Sequence, residues 1–128
     1  MNEALLDTSV IIAAGIEPEQ IPPDSSISIV TVGELHAGVL LARTEAARYQ
    51  RMRRLDDIRR LFVPIPVDDA VARYYGELLA FARNTRRSAK ATDLFIVATA
   101  AACGQTLVTL DRAQAALAEA FGVPFSPR

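Results

Sequence analysis

The sequence predicts an α/β domain whose mostly parallel sheet is covered by helices on both faces. Short apolar runs, at Leu5-Leu6, Ile27 to Val30 and Thr106 to Leu110, alternate with longer segments whose apolar residues recur every three or four positions. Each run is followed by a residue suited to starting a helix: Asp7, Thr31 and Asp111. The segment Asp93 to Ala102 is apolar nearly all round, which suits a helix in the interior more than one on the surface.

The bulk composition is consistent with this. At 128 residues, a single domain spanning 1–128 is expected, able to bury about two thirds of its unfolded surface. Hydrophobic residues make up 51% and charged residues 23%, which excludes a disordered or low-complexity chain. The apolar stretch around Leu94 to Cys103 falls far short of the roughly 18 residues that would indicate a membrane span. The first residues carry Glu3 in place of a basic signal-peptide start, so a cytoplasmic location and no membrane partner are expected. The one cysteine, Cys103, stands among Ala101, Ala102 and Gly104 and is expected to be a small buried packing residue.

The net charge of −1 gives the chain as a whole no attraction for nucleic acid. Distribution matters more, because thirteen of the fourteen basic residues are arginine and they cluster. Arg48, Arg51, Arg53, Arg54, Arg59 and Arg60 are interleaved with Asp56, Asp57 and Glu45 and suit a solvated helix face. Arg83, Arg86, Arg87 and Lys90 have no acid among them, which makes this cluster, with Arg86, Arg87 and Lys90 at its end, the better candidate for a polyanion contact.

In chain order, the first strand ends at Asp7 and a short helix begins near Val10. Gly15 to Ser26, with Pro18, Pro22 and Pro23, is a loop before the second strand, Ile27 to Val30. Thr31 and Glu34 have the spacing of a capping box for a helix to about Ala42. A long helix from about Thr44 to Phe62 carries Met52, Leu55, Ile58 and Phe62 on one stripe, and Pro64-Ile65-Pro66 leaves room for a short edge strand. Asp68 caps a helix with the inward stripe Val71, Tyr75, Leu78 and Ala82, followed by a polar turn from Asn84 to Lys90. Gly104 ends the buried helix, Asp111 starts an alanine-rich one to about Phe121, and Gly122 to Phe125 allows a last strand.

Four acids occupy one kind of position: Asp7, Glu34, Asp93 and Asp111 each sit where a strand end meets a helix start or where a buried helix begins. Parallel strands point their carboxyl ends the same way, so these acids can converge on the ligand-binding rim of the sheet. Each also has a plain alternative, since a carboxylate near a helix amino end caps it and is favoured by the dipole. Taken together, the acids point further. Two carboxylates about 5 Å apart repel by roughly 3 kcal/mol at an effective dielectric of 20, so the group must take up protons or share a cation. An all-oxygen donor set favours magnesium or manganese over zinc. His36 lies about 200° around the helix from Glu34 and is expected on the surface or in packing. Thr8, Ser9 and Thr109 are placed to orient carboxylates or waters from behind, with capping or strand packing as their alternative.

The segments Asp7-Thr8-Ser9-Val10-Ile11, Thr31-Val32-Gly33-Glu34-Leu35, Ala91-Thr92-Asp93-Leu94-Phe95 and Leu107-Val108-Thr109-Leu110-Asp111 together resemble the PIN-domain ribonucleases, specifically the VapC toxins of bacterial toxin–antitoxin pairs. The resemblance covers nearly the whole chain in order. It implies a three-layer α/β/α fold with sheet order 3-2-1-4-5, Asp7 and Asp111 lying on either side of the topological switch. It also implies RNA cleavage by metal-activated water with one or two Mg2+ or Mn2+ ions, carried by Asp7, Glu34, Asp93 and Asp111. A VapB-like antitoxin would block the site and the toxin would form a homodimer; the region Val39 to Phe62 is assigned to antitoxin or dimer contact. One departure stands out: many relatives carry a further acid three or four residues after the position of Asp111, where this chain has Gln114 and Ala115. A second ion would then be held loosely or arrive with substrate.

Other phosphate-handling α/β classes fit less well. A response-regulator receiver needs a lysine ending a late strand, but Lys90 precedes a helix; a dehalogenase-type phosphatase needs an Asp where Ser9 stands. The alternative from a different class is a catalytically silent PIN-like domain acting as an RNA- or protein-binding regulatory module. The presence of all four acids weighs against it.

Overall fold

The computed structural model describes residues 3–13, 21 and 23–127. Among these residues, four strands and six helices follow one another as β1 (Ala4–Leu6), α1 (Thr8–Ala13), β2 (Ser25–Ser26), α2 (Ile29–Leu40), α3 (Glu45–Leu61), α4 (Asp69–Asn84), α5 (Ala91–Cys103), β3 (Thr106–Val108), α6 (Arg112–Phe121) and β4 (Phe125–Ser126). All strand pairs are parallel and the sheet order is β2-β1-β3-β4.

Successive strand residues face opposite sides of a sheet, and Leu5 and Leu6 divide the core accordingly. Leu5 packs with Leu107, Val71, Leu78, Ile96 and Leu117 from β3 and helices α4, α5 and α6. Leu6 packs with Ile11, Val32, Leu35, Leu55 and Ile58 from α1, α2 and α3. These two cores, one on each face, make the three layers expected of the sequence. Stacking of Tyr75 on Phe95, with ring centroids 4.0 Å apart, ties α4 to α5.

Several boundaries differ from expectation. The β-branched run Ile27 to Val30 is not a strand: β2 ends at Ser26, and Ser28 turns the chain into α2 by accepting the Val30 N–H at 3.0 Å. Thr31 is therefore inside the helix, and the Thr31–Glu34 capping box does not form. The expected order also differs in detail, because Ile65 contributes a single parallel bridge to Ser28 in place of a third strand. Ile65 uses both its backbone groups, donating to the Ile27 carbonyl at 2.9 Å and accepting the Ile29 N–H at 2.9 Å. Pro64 and Pro66 on either side have no N–H with which to extend the ladder. Cys103 is exposed at the end of α5 instead of buried, and Met52 is about half exposed on α3. Most of the loop from Gly15 lies outside the described residues. Among the described residues, no helix is long and apolar enough to cross a membrane.

The connections from β1 run to β2 on one side and, after five helices, to β3 on the other. β1 thus lies at the point where the strand order reverses, and its carboxyl end opens onto the crevice where open α/β sheets bind ligands.

Candidate active site

Asp7 follows β1 directly and is only 4% exposed. Its backbone N–H continues the ladder to the Val108 carbonyl at 2.9 Å, which sets it beside Thr109 at the end of β3. A buried carboxylate needs donors, and Asp7 has them. Its Oδ2 accepts from the Ser9 hydroxyl at 2.6 Å, the Ser9 N–H at 3.3 Å and the Thr109 hydroxyl at 2.9 Å. Gln114, 1% exposed on α6, adds its amide: with the nitrogen turned inward it donates to Oδ2 at 2.8 Å, to Oδ1 at 3.0 Å and to the Thr109 hydroxyl at 3.0 Å. The Leu110 and Asp111 N–H groups in turn donate to the Ser9 and Thr109 hydroxyls, both at 3.0 Å, so each hydroxyl that donates to Asp7 also accepts from the backbone.

Asp111 is the N-cap of α6, its Oδ1 accepting from the Ala113 and Gln114 N–H groups at 2.9 and 3.2 Å. The capping alternative is therefore real for this residue, and it uses one carboxylate oxygen. Glu34 sits in the second turn of α2. The Thr8 hydroxyl is 2.7 Å from its Oε1 and 3.0 Å from the fully buried Thr31 hydroxyl, so the first residue of α1 fixes the acid on α2.

Asp93 lies in the first turn of α5, where Lys90 occupies the N-cap position without a side-chain cap. Its carboxyl is pushed up to about 6, first by burial, then by the charges of Asp111, Asp7 and Glu34, with Lys90 opposing. Residues from four separate stretches of sequence thus act on one carboxyl, at the end of the sheet where Asp7 follows β1 and Asp111 caps α6 after β3. Beside it is a cavity of about 240 Å³ lined by Arg87, Ser88, Asp93, Ala113, Gln114 and Leu117. Arg86, in the left-handed region at φ 57°, turns the chain here, and Arg87 is anchored by its N–H to the Ala82 carbonyl at 2.7 Å. Arg86, Arg87 and Lys90 are all exposed, and of the three it is Arg87 that lines this cavity. On the other flank, Ile12, Glu34, Leu35, Gly38, Arg51 and Arg54 line a cavity of about 220 Å³. His36 is exposed on α2, a surface position as expected.

Among the described residues, no three acids, histidines or cysteines close around a point as a ready-made metal cage. The donor chemistry nevertheless fits a hard, hydrated cation: it is all oxygen, its charges are alike and repel one another, and among the described residues Asp7 Oδ1 accepts a single hydrogen bond. Magnesium and manganese commonly keep several waters and take one or two carboxylates directly. Two supporting residues escaped the sequence reading. Gln114 was noted only as a missing acid and Thr31 only as a cap, although Asp111-Arg112-Ala113-Gln114 has the spacing at which a residue in the first helical turn folds back towards the cap.

Residues 4–120 match the family described as PIN domain. The chain belongs to that family. This PIN domain is 35% identical over 123 residues to Ribonuclease VapC4 of Mycobacterium tuberculosis, an alignment covering 91% of this chain and 92% of that protein. It is also 35% identical over 117 residues to Ribonuclease VapC5 of the same organism, covering 88% and 86% of the two chains. The crystal structure of VapBC-5 from Mycobacterium tuberculosis, a member of the VapBC family of toxin-antitoxin systems, contains a chain that superposes on this PIN domain with a TM-score of 0.83 at 34% identity, over 98% of each chain.

Proposed function

We propose that this chain is a Mg2+- or Mn2+-dependent endoribonuclease toxin, silenced by a VapB-like antitoxin protein. The observation that carries this is the addition of three carboxylate fields at Asp93, on the switch-point rim of a PIN fold. Its relatives are named as ribonucleases, and its structural neighbour comes from a toxin–antitoxin complex.

Asp7, Asp93 and Asp111 would hold the ion, directly or through water, with Glu34 as a further ligand or as the group that orients the attacking water. When bound, such an ion lowers the pKa of water and neutralises charge developing on the phosphate. The chain's own residues do the rest. Ser9 and Thr109 keep the Asp7 carboxylate in one orientation, and Thr8 does the same for Glu34. Arg86, Arg87 and Lys90 offer positive charge to the RNA backbone beside the cavity next to Asp93. The exposed apolar residues Leu40, Leu41, Tyr49 and Met52, on α2, its C-cap and α3, suit the antitoxin or a second copy in a homodimer.

RNA digestion in Mg2+, compared between the wild type and Asp7→Asn, tests the enzyme reading. Cleavage by the wild type and its loss in the variant are expected. Equal activity in both, or none in either, would leave the silent binding module as the better account.

A further inference from the structure

In the first turn of α6, Gln114 joins two of the four carboxylates. Its backbone N–H donates to Asp111 Oδ1 at 3.2 Å, while its side-chain nitrogen lies 2.8 and 3.0 Å from the two oxygens of Asp7. Thr109 also touches both residues, but it meets Asp111 only through the backbone N–H, whereas Gln114 bonds to both carboxylates. The contacts are unevenly shared: Asp7 Oδ2 also accepts from Ser9 and Thr109, but Oδ1 accepts from Gln114 alone. At 1% exposure the amide has no freedom to swing out into water.

We propose that Gln114 is a positioning residue of the metal centre: with Ser9 and Thr109 it fixes the Asp7 carboxylate for a single divalent cation, its amide lying on both Asp7 oxygens, and, being neutral, it adds no charge to hold a second. This rests on the metal-dependent reading above and adds a stoichiometry and a residue to it. An amide and a carboxylate have nearly the same shape, so the difference between Gln114 and an acid is one of charge and hydrogen bonding. A glutamate here would set a carboxylate about 3 Å from that of Asp7, where both remain ionised only if a cation lies between them.

The test is Mn2+ binding to the purified full chain, read by calorimetry and by the electron paramagnetic resonance of the ion, with thermal melting as the check on folding. The wild type is expected to bind one Mn2+ without RNA. Gln114→Leu, which keeps the bulk and removes the donor, should weaken that binding about tenfold to a hundredfold, as loss of a partner behind a metal ligand does. Gln114→Glu should bind a second Mn2+ and show the altered resonance of a coupled pair. Should Gln114→Leu not fold, Gln114→Glu decides alone. Two ions in the wild type, or a Gln114→Glu protein that binds Mn2+ with wild-type stoichiometry, would overturn the assignment to Gln114 while leaving metal dependence intact. A wild type that binds no Mn2+ and cuts no RNA would overturn both.

Discussion

Asp7 and Asp93 share a rim but are held in opposite ways. Asp7 is nearly inaccessible and its carboxylate is ringed by donors from Ser9, Thr109 and Gln114. Asp93 is half-buried, its side chain takes no hydrogen bond among the described residues, and three like charges act on it. The first carboxylate is stabilised by the protein itself. The second is stabilised by whatever positive charge comes to it, a proton or a cation. A site built this way keeps a fixed anchor on the sheet and a responsive partner on α5.

Replacing each acid in turn gives the largest expected effects. Asp7→Asn and Asp93→Asn should each reduce RNA cleavage by about a hundredfold or more, beyond the tenfold to hundredfold common for residues behind the ligands. Their effects on metal-free stability should have opposite signs. Asp7→Asn sets an amide N–H against the donors that faced an oxygen and should cost about 1–3 kcal/mol. Asp93→Asn removes the repulsion and should stabilise by on the order of 1 kcal/mol, a figure kept low because water screens a half-buried carboxyl. Chemical denaturation with chelator present measures both, and a loss of stability in Asp93→Asn would break the contrast.

The pH dependence sharpens it. Burial and three like charges push the Asp93 carboxyl up to about 6 in the folded chain from its ordinary value of 3.8, so between those values the native state holds more protons than the unfolded one. By linkage, the contribution of Asp93 to metal-free stability is most favourable below about 4, declines as pH rises towards 6, and levels off above that. A divalent ion competes with the same proton, so Mn2+ affinity should rise with pH through 6 and then flatten. Calorimetry at pH 5 and 7.5 reads this directly, and Asp93→Asn should remove most of the slope.

The same contrast explains what the sequence disclosed. Asp7 and Asp111 were legible because a strand followed by a cap-forming acid is a local signal, and both lie where it put them. The layers were legible for a similar reason: Leu5 and Leu6 must face opposite ways. Glu34's surroundings were not, because Ser28 and Thr31 are both good caps and only the tertiary pairing of Ile65 with the Ser28 segment decides between them. That pairing also overrode the strand preference of Ile27 to Val30. Gln114 was missed because a glutamine on a helix is ordinarily solvated; its burial depends on Asp7, more than a hundred residues away in sequence.

A smaller effect is expected at Thr109, whose hydroxyl donates to Asp7 and accepts the Asp111 N–H. Thr109→Val keeps the shape and leaves both neighbours short of a partner, for about 1–2 kcal/mol of stability. Thr8→Val tests the Glu34 arm in the same way, and because Glu34 is less buried than Asp7 its loss should fall nearer 1 kcal/mol.

The smallest effect belongs to Lys90, among the described residues the one cation acting on Asp93 and the weakest of the causes there. Lys90→Gln removes a charge that favours the ionised carboxyl, so the Asp93 carboxyl should move further up and the rise in Mn2+ affinity should shift to higher pH. Metal binding well above that rise should be unchanged or slightly tighter, since a positive charge near the cation is gone as well. These opposite consequences at low and high pH separate an electrostatic role at Asp93 from a role in RNA contact alone, which would leave the Mn2+ curve where it was and weaken only the binding of RNA.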